Sequence, residues 1–69
     1  MDDALKRAVE AAGGARPLAQ ELGITPEAVY MWDECPVLRV LDVERLSGVP
    51  RHELRPDIYP PPEKKRGRT

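Results

Sequence analysis

Phenylalanine is absent from this 69-residue sequence, and tryptophan, cysteine and histidine occur once each. A lone thiol, Cys35, rules out an intrachain disulfide, and with His52 as the single imidazole no protein-built zinc site is expected. Cys35 reads as a small structural residue, because no histidine lies beside it to activate the sulfur. No apolar run approaches the roughly 20 residues that cross a bilayer. The start Met1-Asp2-Asp3 lacks the basic-then-apolar layout of a secretory signal, so the expected location is the cytoplasm, with no membrane contact. There is neither a glycine-rich phosphate loop nor a nucleophile with its base, so neither catalysis nor a cofactor is expected. Alternating apolar stretches long enough for a sheet are missing too.

What the chain does have is a charge asymmetry hidden under a net charge of −1. Up to Pro62 it carries seven Lys and Arg against eleven Asp and Glu, a net of −4; from Glu63 onward it carries four against one, a net of +3. The length allows one domain with a modest core, worth only about 3–5 kcal/mol, so reinforcement by a second copy is expected. Residues 1–59 form the expected domain. Residues 60–69 are a Pro-rich, then basic, tail with no side chain able to anchor in a core, and are expected to be disordered.

Helical signals succeed one another along the body. Asp2 or Asp3 can cap a first helix with Leu5, Ala8, Val9 and Ala12 on its inner face, ended by Gly13-Gly14. A second runs from about Ala15 to Leu22, with Leu18, Ala19 and Leu22 inward and Gly23 at the left-handed closing position. The third has the clearest start: Thr25 as cap, Pro26 at the first position, Glu27 in the first turn, and Ile24 with Val29 as an apolar staple. It is expected to reach Glu34, with Ala28, Val29 and Trp32 inward and Glu27, Tyr30, Met31 and Glu34 outward. Pro36 then opens a fourth helix to Ser47, closed by Gly48. Val37, Leu38, Val40, Leu41, Val43 and Leu46 give that helix more apolar positions than one buried stripe needs, and the surplus, with Ile58 and Tyr59, suits a homodimer. Pro50 can open a last turn through Leu54, and the prolines around Asp57-Ile58-Tyr59 favour an extended segment.

Two helices crossing through a tight turn need a small residue where they touch, a glycine at the turn and apolar inner faces. Ala19, Gly23 and the set Leu18, Leu22, Ile24, Val29 and Trp32 supply them. The spacing Ala19, Gly23, Val29, Trp32 resembles the helix-turn-helix of phage repressors. The stretch Ala12-Gly13-Gly14 through the motif, and Arg51-His52-Glu53-Leu54-Arg55-Pro56-Asp57-Ile58-Tyr59-Pro60, are similar to the Cro/YdaS-like group, over most of residues 4 to 60. That resemblance implies an all-α, lambda-repressor-like fold of four to five short helices and a transcriptional regulator of phage or prophage DNA, in some cases the antitoxin-like partner of a toxin gene. It also implies a recognition helix from Thr25 to Glu34 that meets double-stranded operator DNA.

Arg16, at the start of the second helix, stands where such regulators contact a phosphate, or else is a solvated charge; Thr25 offers a hydroxyl beside its capping role. The resemblance places Pro26, Glu27, Tyr30 and Met31 at the groove, where Glu27 can accept from cytosine N4, and Tyr30 and Met31 can meet thymine methyls or sugar. Tyr30 and Met31 equally suit a protein surface. Lys64, Lys65, Arg66 and Arg68 can track phosphates or remain solvated. Arg51 and Arg55 can reach the backbone or pair with Glu53 and Asp57. Where members of the group carry Gln or Ser and a basic loop, this chain has Pro26-Glu27 and Asp33-Glu34-Cys35-Pro36. The acidic third helix therefore supports an alternative, a protein-binding module such as an antitoxin or an inhibitor of a regulator.

Overall fold

The computed structural model describes residues 1–61. Among them the chain is all helical: α1 (Asp3–Ala11), α2 (Ala15–Leu22), α3 (Pro26–Tyr30), a 3-10 turn (Val37–Arg39), α4 (Val40–Ser47) and α5 (Arg51–Leu54). No helix there is long and apolar enough to cross a membrane.

Each start and stop has a local cause. The Asp2 carboxylate accepts from the Leu5 amide at 2.9 Å and caps α1, whose Ala4, Leu5 and Ala8 turn into the core. α2 closes on Gly23 at φ +74°, where the Gly23 and Ile24 amides donate to the Gln20 and Ala19 carbonyls at 3.3 and 2.9 Å. This pair of crossed bonds satisfies the last carbonyls of α2 and swings the chain directly into α3. The Thr25 hydroxyl then accepts from the Ala28 amide at 3.2 Å, and Pro26 occupies the first helical position.

Ala15, Leu18, Ala19 and Val29 form an apolar cluster between α2 and α3, completed by Leu22, Ile24 and Trp32. Ala4, Leu5, Ala8, Cys35, Val40, Val43, Val49 and Leu54 form a second one under α1, α4 and α5. Met1, Val9, Leu22 and Trp32 pack against both and join them into one core.

Three expectations are corrected. The third helix ends at Tyr30, not Glu34. The Trp32 amide bonds three residues back to Val29 at 3.1 Å, and the Asp33 carbonyl accepts from the Asp2 amide at 2.7 Å, leaving the helical ladder. Pro36, with no N–H, could not have bonded the Trp32 carbonyl in any case. The chain bends at Asp33 and Glu34 instead and carries Cys35 into the core. The fourth helix is split, with the 3-10 turn before α4 and its last residue, Arg39, at φ −110°, ψ −5°. Asp57-Ile58-Tyr59 is a turn and not an extended strand: the Ile58 and Tyr59 amides both donate to the Arg55 carbonyl, at 3.1 and 2.8 Å. The Arg55 guanidinium holds both Asp57 oxygens, at 3.0 and 2.8 Å, and so draws the chain back on itself.

Candidate nucleic-acid interface

The glycine turn fixes how α3 is presented. Val29 anchors its inner side at zero exposure, whereas Tyr30 and Met31 stand 70% and 80% exposed. Glu27 is exposed too, and lies three and four residues before them, so the three share one outward face. Thr25 and Pro26 sit at the start of α3, with the Thr25 oxygen already accepting the capping bond. Arg16 is exposed in the first turn of α2. Gln20, one turn further along and also exposed, shares that side of α2. Sequence reasoning passed over Gln20, and its spacing of four from Arg16 was the available signal. Lys64, Lys65, Arg66 and Arg68 lie outside the described residues.

Ion pairing decides which cations are available to a phosphate. Arg7 bonds Asp3 and Glu53 at 3.1 and 2.8 Å, Arg45 meets Asp42 at 3.5 Å, and Arg51 meets Glu44 at 2.9 Å. Arg55, only 12% exposed, pairs with Asp57 at 2.8 Å and Glu34 at 3.6 Å, and donates to the Cys35 carbonyl at 3.1 Å. Arg55 therefore pairs as the sequence suggested, but the partner of Arg51 is Glu44 and not Glu53. Arg51 also stacks 5.5 Å from the centre of the Tyr59 ring. Arg39 donates to the Leu22 carbonyl at the end of α2, at 3.4 Å. Arg16 is thus the cation of the α2–α3 unit that has no ion pair among the described residues.

The same contacts shift ionisations. Hydrogen bonds from the Arg51 amide and guanidinium hold the Glu44 carboxyl below the usual carboxylate range, and the Arg55 guanidinium does the same to Asp57. Burial pushes the Cys35 thiol up to about 11. Cys35 is consequently a packed, protonated side chain with no nucleophilic character near neutral pH.

A short helix with a solvated outer face, set by a glycine turn against a second helix in a small all-helical body, defines a helix-turn-helix-like domain. The chain belongs to the family described as bacterial toxin YdaS, which it matches over residues 5–63. It is also similar to the Gene 30 protein of Enterobacteria phage phi80, at 35% identity over 60 residues that span 80% of this chain and 82% of that protein. No solved structure matches it.

Proposed function

We propose that the protein is a sequence-specific DNA-binding regulator of the Cro-like kind, acting in the cytoplasm on a phage or prophage operator, and that it works by binding, without catalysis. The observation that carries this reading is the outward face of α3, Glu27, Tyr30 and Met31, left clear of the fold while Arg16 on the neighbouring helix has no ion pair among the described residues. In such an arrangement α3 enters the major groove, Arg16 fixes the register on a phosphate, and the α3 side chains read base edges. Similarity to a phage protein is in keeping with an operator of that origin.

The test is a gel shift against the DNA flanking the protein's own gene. Arg16→Ala should weaken every duplex alike and reduce the slope of log affinity against log salt by about 0.9, whereas Tyr30→Ala should erode the preference for one sequence. Equal loss on specific and scrambled duplexes for Tyr30→Ala would remove α3 from the reading role.

The charge distribution favours a second reading, in which the domain binds protein. Four cations of the body are occupied in ion pairs, and Glu27, Asp33 and Glu34 leave the α3 side acidic. The family's description as a toxin suits a module that engages another protein. Glu27→Lys with Glu34→Lys separates the two: the pair of changes strengthens non-specific attachment to DNA but abolishes docking of a basic protein surface.

A further inference from the structure

Ile24, Ala28, Trp32, Pro36, Val37 and Leu38 line an open groove of about 340 Å³, and the remaining lining residue, Arg39, is its one charged group. That volume lies at the small end of ligand pockets, roughly 300–1,000 Å³. Arg39 is partly withdrawn from water, and the bond its guanidinium makes is to the Leu22 carbonyl, at 3.4 Å. Arg7, Arg45, Arg51 and Arg55 each hold a carboxylate, whereas Arg39 has no ion pair among the described residues. Arg16 has none either, but it is exposed on α2 and borders no groove. A half-buried guanidinium beside apolar walls attracts an anion more strongly than one in bulk water, and its planar fork matches a carboxylate with two parallel N–H bonds.

We propose that this groove binds a small molecule with an apolar body ending in a carboxylate, the body against Ile24, Ala28 and Trp32 and the carboxylate on Arg39. One guanidinium offsets one negative charge, and the chain up to Pro62 already carries a net −4, so a singly charged carboxylate suits the site better than a phosphate dianion. Glu27, Tyr30 and Met31 are not lining residues, so the ligand leaves the proposed DNA-reading face uncovered. The groove is open, and a ligand of about a dozen non-hydrogen atoms should bind with a dissociation constant on the order of a millimolar.

Trp32 is the single tryptophan and lines the groove, so its emission reports occupancy. The probes are phenylbutyrate and its uncharged counterpart phenylbutanol, each titrated into the full chain at neutral pH. No DNA is present, so the result stands apart from the function proposed above. Phenylbutyrate should change the Trp32 emission saturably and bind about tenfold more tightly than phenylbutanol, and Arg39→Gln should bring the two probes to the same affinity. Because Arg39 also bonds the end of α2, a second variant covers the case in which Arg39→Gln loosens the fold. Ala28→Leu adds bulk inside the groove at a partly solvated position, and should abolish the response to phenylbutyrate while circular dichroism stays unchanged. No saturable response, equal binding of acid and alcohol by the wild type, or an acid preference that survives Arg39→Gln or Ala28→Leu would each overturn the proposal. So would a response that fades as the protein concentration is raised, since a second copy of the chain would then occupy the groove.

Discussion

At Gly23 an added Cβ would meet no atom within 4 Å, yet the backbone sits at φ +74°. Any penalty for a side chain there is therefore conformational and owes nothing to crowding. Gly23→Val should destabilise the protein by more than about 1 kcal/mol in thermal or urea unfolding, and Gly23→Asn by clearly less, because Asn enters the left-handed region more readily. Equal losses for the two would mean that the turn is not held in that conformation. Cys35 makes a second prediction at this scale. Its thiol is fully buried and pushed up to about 11 from an ordinary value of 9.0. A thiol-specific reagent at mildly alkaline pH should label it only as fast as the protein opens, and immediately in denaturant. Because the folded value is the higher one, the contribution of Cys35 to stability is complete below pH 9 and is lost as the pH rises towards 11.

Among the elements, α3 depends most on its cap, since Pro26–Tyr30 is little more than one turn. Thr25→Ala should cost about 1 kcal/mol in unfolding free energy, while Thr25→Ser should cost little; a neutral Thr25→Ala would show that Ile24 and Val29 hold the helix by packing alone. The start of α3 was legible in the sequence because Thr25, Pro26 and Glu27 act locally. Its end was not, because the bond from the Asp2 amide to the Asp33 carbonyl joins residues far apart in the chain, and nothing in the neighbourhood of Trp32 announces it. The turn at Ile58 and Tyr59 escaped for a related reason. Proline content argued for extension, whereas the Arg55–Asp57 fork decided the path. The outward face of Glu27, Tyr30 and Met31 could be read from helical spacing, but the groove between Ala28 and Leu38 needed the break at Pro36 to exist.

Over the whole molecule, charge governs both stability and binding. The Glu44 and Asp57 carboxyls are both held low, by Arg51 and Arg55. Their contribution is present above the ordinary carboxylate range and disappears as the pH falls through the depressed folded values. The melting temperature should therefore drop on acidification below about pH 4, and Arg55→Gln should lower it at neutral pH while shallowing that acid limb. If Arg55→Gln leaves the limb unchanged, other carboxylates carry it. The same locked ion pairs mean that a net charge of −4 up to Pro62 must be overcome before DNA can be approached, with Lys6, Arg16 and Arg39, which have no ion pair among the described residues, and the +3 of the tail as the available counterweight. Binding of the full chain to DNA is accordingly the claim most exposed to refutation. Repeated selection from a random pool of duplexes, followed by affinity at two salt concentrations, measures it most directly. The account predicts that one short sequence is enriched and bound at least about a thousandfold more tightly than scrambled duplex, with affinity falling steeply as salt rises. A pool that stays random, with no salt-dependent affinity for any duplex, would contradict it.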